Sequence, residues 1–135
     1  MKKFATILFV MALPLIGWAQ EAADAANGPK ISFEEKEYQF GDIHQGDKVT
    51  HTFTFKNDGT APLILSNVLV TCGCTATDWP KDPIMPGKEG EIEVTFNSAN
   101  KMGAQNKTIT ILSNSAAGQV QVRMMGNVLP PQDNQ

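Results

Sequence analysis

The chain has 135 residues, 41% of them hydrophobic, with eleven Lys and Arg against fourteen Asp and Glu and a formal charge of −3. That length suits one domain with a single core. The acidic balance and the lack of a clustered basic run exclude nucleic acid as a partner, because such binding draws on a concentrated positive surface.

At the start of the chain, Lys2 and Lys3 precede an apolar run from Phe4 to Ile16, and Gly17-Trp18-Ala19 follows with small residues at both cleavage-recognition positions. Residues 1–19 therefore read as a cleavable export signal, cut after Ala19. The thirteen-residue run falls short of the roughly 18 that a membrane-spanning helix needs. No transmembrane anchor is expected after cleavage, and no cysteine follows the cut to carry a lipid. Removing nineteen of 135 residues leaves 116, and losing two of the eleven basic residues leaves nine against fourteen acidic. Residues 20–29 are alanine-rich without apolar periodicity and are expected to be a flexible linker, and residues 129–135 a disordered tail. One domain is expected over residues 30–128, located in the periplasm or secreted.

Within those limits apolar residues recur with period two, as half-buried strands require. Ile31–Phe33 and Glu37–Phe40 come first. Val49, His51, Phe53 and Phe55 then share one face while Thr50, Thr52, Thr54 and Lys56 share the other, and Asn57-Asp58-Gly59 supplies a turn. Further strands are expected over Pro62–Val70, around Ile92, Val94 and Phe96, around Ile109 and Ile111, and from Val120 through Met124 to near Val128. About seven short strands and no helical period predict an all-β fold, an immunoglobulin-like antiparallel sandwich. The cysteine spacing of antibody domains is absent.

Thr71-Cys72-Gly73-Cys74-Thr75 holds the only two cysteines. In an extended strand, residues two apart are separated by roughly 6.5–7 Å, too far for a relaxed disulfide, so closing Cys72 to Cys74 calls for a bend at Gly73. Three readings stay open. The pair continues the face of Val68 and Val70 as small buried groups, free or bonded. It is a thiol-disulfide redox site. Or it is a soft-metal site for copper or zinc, completed by His44, His51 or a methionine. His51, on an apolar strand face, reads first as a hydrogen-bonded core residue. In the proline-rich loop that follows, Trp79 reads either as a cap on the core or, with Ile84 and Met85, as a binding patch.

Val70-Thr71-Cys72-Gly73-Cys74-Thr75, with Pro83-Ile84-Met85-Pro86-Gly87 and Gly90-Glu91-Ile92-Glu93-Val94-Thr95-Phe96, resembles an exported bacterial family of unknown function defined by a Cys-Gly-Cys-Thr motif. Phe40-Gly41-Asp42-Ile43, Phe55-Lys56-Asn57-Asp58-Gly59 and Thr110-Ile111-Leu112-Ser113-Asn114 fit the same family. That family is similar to the immunoglobulin-like domains of major sperm protein and of ciliary and centrosomal scaffold proteins. The resemblance implies a fold and a compartment, with no activity or ligand attached. No nucleophile elbow, phosphate-cradling loop or His-rich signature is present, and Glu91 and Glu93 alternate on a solvated face. The expectation is a non-catalytic binding or scaffold module without a cofactor, meeting a protein partner in the cell envelope. The alternative is a redox or metal-binding protein acting through Cys72 and Cys74.

Overall fold

The computed structural model describes residues 27–133, so the expected export signal, most of the linker and the last two residues lie outside it. Eight strands follow in order: β1 (Ile31–Phe33), β2 (Glu37–His44), β3 (Lys48–Asn57), β4 (Leu65–Val70), β5 (Thr75–Asp78), β6 (Glu89–Asn97), β7 (Gly103–Ser113) and β8 (Gln119–Leu129). They form two four-stranded sheets, β1-β3-β6-β5 and β2-β8-β7-β4. This is the order of an immunoglobulin-like sandwich whose first strand is divided between the sheets. β1 runs antiparallel to β3, and after Glu34–Lys36 the chain crosses over so that β2 runs parallel to β8.

The strand beyond the expected seven is β5. Its inward side chains are Thr75 and Thr77, so a pattern that scores apolar against polar residues has nothing to register. Two further departures are bulges. In β4 the register shifts between Leu65 and Asn67. Leu63 and Leu65 point inward before it, Val68 and Val70 after it, and Leu69 is left outside at 45% exposure. The single strand expected over Pro62–Val70 is thus an isolated pairing of Leu63 with Ile84 followed by β4 proper. In β2 the register shifts between Gln39 and Gly41, and Gly41 takes a left-handed φ of 73°. Beyond that shift the strand continues to His44, past the expected end at Phe40. A bulge changes face by one residue, which strict alternation cannot follow.

The core lies between the sheets. Phe53, Phe55, Ile92, Val94, Phe96, Ile109, Ile111, Val122 and Met124 are all fully buried. Each contributes on the order of 1.5–3 kcal/mol of apolar burial. Two aromatic rings lie over glycines on neighbouring strands. A Cβ on Gly90 would stand 2.4 Å from the Phe55 ring, and one on Gly126 would stand 2.1 Å from Phe40. Phe40 in turn packs on Phe96 with centroids 5.6 Å apart.

Polar residues close both ends of the sandwich. At one end Asn57 is fully buried at the last position of β3. Its Oδ1 accepts from Lys30 N at 3.2 Å and Gly59 N at 2.9 Å, and its Nδ2 donates to Ala61 O at 2.8 Å and Ile84 O at 2.9 Å. Its backbone N–H donates to Lys88 O, and its carbonyl accepts from Gly87 N. At the other end the buried Ser98 hydroxyl donates toward His44 O and Asp47 O, tying the β2–β3 turn to the exit of β6. Among the described residues no buried side-chain polar atom lacks a partner.

Asn57→Ala leaves two part-buried N–H groups and two carbonyls without these partners, and is expected to cost about 2–4 kcal/mol in urea unfolding. Asn57→Asp keeps the acceptor but cannot donate to Ala61 and Ile84, so it should also destabilise. A fall of under about 1 kcal/mol for both would refute the role given to this side chain.

Candidate functional site

β4 ends at Val70 on the edge of one sheet and β5 begins at Thr75 on the edge of the other, so the Cys-Gly-Cys segment is the crossover between sheets. The chain turns here, so the first of the three open readings loses its continuous strand face beyond Val70, while both cysteines stay half-buried. Thr75 N donates to Cys72 O at 3.1 Å, and Asn97 N donates to Cys74 O at 2.9 Å. The turn brings the two Cα atoms to 5.2 Å, and the sulfurs are joined as a disulfide. Gly73 makes this bend without a left-handed φ, and a Cβ there would meet nothing within 4 Å.

Both cysteines are half-buried; Cys74 packs against the core. Cys74 N–H donates to Cys72 Sγ at 3.2 Å. Beside the pair lies a shallow groove of about 370 Å³ on the outer face of β3, β5 and β6, lined by Lys48, Gly73, Cys74, Ala76, Thr95 and Asn97. Of the two sulfur-bearing residues, Cys74 lines it. Lys48, Ala76 and Asn97 carry no sequence signal of their own. They meet through strand pairing, since Lys48 stands opposite Asn97 and Ala76 opposite Thr95.

The histidines are not brought to the cysteines as a ligand set. His51 stacks on Tyr38 with ring centroids 3.7 Å apart, meets Phe53 edge-on at 4.8 Å, and its Nε2 is hydrogen-bonded to Glu35 Oε1. His44 sits in the turn closed by Ser98, where its N–H donates to Asp47 Oδ2 at 3.0 Å. Among the described residues no three of His, Cys, Asp and Glu gather as metal ligands. With the sulfurs bonded to each other, this arrangement does not fit a copper or zinc centre.

The loop candidates separate as well. Trp79 and Ile84 are half-buried and pack against the core, while Met85 is 53% exposed. Ile84 exchanges two 2.8 Å backbone hydrogen bonds with Leu63. Lys81 Nζ lies 3.0 Å from the Trp79 ring centroid, a cation over an aromatic face. Trp79 borders an open cleft of about 520 Å³ with Thr52, Asp78 and the carboxylates of Glu89, Glu91 and Glu93. Ile84 and Met85 do not line that cleft. Elsewhere, desolvation first and Lys101 second push the Lys107 ammonium below the usual lysine range.

Against known proteins, the family described as protein of unknown function (DUF1573) matches residues 31–128. No curated protein sequence matches the chain. Among solved structures, a protein of unknown function from Porphyromonas gingivalis superposes with a TM-score of 0.66 at 16% identity, covering 76% of this chain and 48% of its own. The VesB protease of Vibrio cholerae gives 0.62 at 16% identity, covering 73% of this chain and 32% of the protease. The ASH/PapD-like domain 7 of human CEP192 gives 0.61 at 11% identity, covering 98% and 99%. The chain therefore spans less than half of the Porphyromonas protein and about a third of VesB. At these identities the likeness is one of fold.

A disulfide enclosing three residues removes little entropy from the unfolded chain, roughly 1–2 kcal/mol. Cys72→Ser with Cys74→Ser is therefore expected to lower the melting temperature by about 5–10 °C without changing the fold. Loss of the cooperative transition in calorimetry would contradict this and make the bond essential to folding.

Proposed function

We propose, for a chain that belongs to the DUF1573 family of proteins of unknown function, the role of an exported, non-catalytic binding module that takes an extended segment of a protein partner along a free sheet edge in the cell envelope. The observation that carries this reading is β4. It closes one edge of its sheet, is six residues long, and after its bulge presents Leu69 outward at 45% exposure, with Ile64 equally exposed just before it. An edge strand offers unpaired backbone groups to an incoming strand, and an exposed apolar side chain on it supplies contact that a solvated edge lacks.

The other edges suit a partner less well. β1 and β5 have three and four residues, and none of the large apolar side chains of β2 is exposed as Leu69 is. Export is supported by the positively charged start, the short apolar run and the small residues before Gln20. A non-catalytic role is supported by the way the polar side chains are engaged. Asn57 and Ser98 hold loops, His51 holds a stack, and the carboxylates of β6 alternate on an outer face.

Two measurements test the reading. Intact mass of the chain recovered from the envelope should begin at Gln20, and a cytoplasmic chain that retains Met1 would defeat the export part. A photo-crosslinking side chain at Leu69 should give one discrete adduct in cells, with none from the same group at Glu93 on the other sheet. Adducts equal at both positions, or absent from Leu69, would defeat the docking part.

A further inference from the structure

The binding module leaves the Cys72–Cys74 pair unexplained. Stability does not account for it, since a bond that closes so short a loop removes little entropy from the unfolded chain. The crossover is also held without it, by Thr75 N on Cys72 O at 3.1 Å and Asn97 N on Cys74 O at 2.9 Å. Opening the bond therefore leaves the turn its backbone restraints.

The two sulfurs are not equivalent. Cys74 lines the groove beside Lys48, whereas Cys72 does not, and Cys72 Sγ already accepts the Cys74 N–H at 3.2 Å. A hydrogen bond to sulfur stabilises the thiolate, which lowers the thiol pKa and makes that sulfur the better leaving group. A cation in the groove favours the anionic form of an approaching thiol.

We infer that the Cys72–Cys74 disulfide is a thiol-exchange site that takes two electrons from a dithiol-bearing polypeptide, with Cys74 the attacked sulfur and Cys72 the leaving thiolate. The partner's thiolate enters along the groove and bonds to Cys74 Sγ. The Cys72–Cys74 bond breaks, and its electron pair goes to Cys72 Sγ, where the Cys74 N–H receives the charge. The partner's second thiol, once deprotonated, attacks the partner sulfur of the mixed disulfide and expels the Cys74 thiolate. The partner ends as a disulfide, and Cys72 and Cys74 end as a dithiol with the two protons. This site is distinct from the β4 edge, so each stands or falls separately.

The test uses the purified full chain, oxidised with glutathione disulfide, and reduced glutathione as the probe. Acid quenching with fragmentation mass spectrometry should find the transient glutathione adduct on Cys74. Reduction should outpace exchange of glutathione disulfide at equal concentration by about tenfold or more. Lys48→Ala should slow it several-fold and Lys48→Arg restore it, with circular dichroism of the reduced chain unchanged. The proposal is overturned by an adduct carried on Cys72, by a pair that does not form its bond under glutathione disulfide or that resists reduced glutathione, or by reduction that unfolds the domain.

Discussion

The sandwich depends on how Asn57 is satisfied. β3 belongs to one sheet and β4 to the other, so the chain must leave β3 and cross between layers. Backbone groups at that crossing have no ladder to join, and each would be costly to bury alone. One amide side chain answers the problem, because it carries two donors and an acceptor with two lone pairs. By bonding Lys30, Gly59, Ala61 and Ile84 at once, it fixes the entry to β1, the turn after β3 and the loop before β6 against one another. Ser98 performs a smaller version of the task at the opposite end.

The sequence carried most of the fold for a physical reason. Where a strand is half-buried and regular, as in β3, β6 and the centre of β8, apolar and polar residues alternate and the buried set is legible directly. Legibility failed where a different rule governed. β5 buries threonines, which apolar periodicity does not count. β2 and β4 contain bulges that change face by one residue, so the outward Leu69 has the sequence pattern of a core residue. Asn57 was visible as a turn residue but not as a buried one, because two of its side-chain partners, Lys30 and Ile84, lie 27 residues away and meet it only in the folded state.

The candidate site shows the same division. That Cys72 and Cys74 belong together could be read from spacing, as could the need for a bend. That the bend is a crossover between sheets, that the two sulfurs differ in surroundings, and that Lys48 and Asn97 stand beside them depend on pairings between distant strands. His51 illustrates the reverse case. Its position on an apolar face pointed to a hydrogen-bonded core residue, and it is found half-buried against Tyr38 and Phe53, with its ring nitrogen on the exposed Glu35.

One feature of the topology bears on how the domain carries load. Near its start the chain is fastened at Gly28 and Lys30 to the Asn57 end of the sandwich, and it leaves from β8 at Leu129, beside His44 at the Ser98 end. Tension applied between these two points draws β2 and β8 past each other along their length, because the two strands are parallel. Their cross-strand hydrogen bonds are then strained together rather than opened one after another from an end. A domain tethered on one side and gripped on the other would meet its greatest mechanical resistance in this one pair of strands.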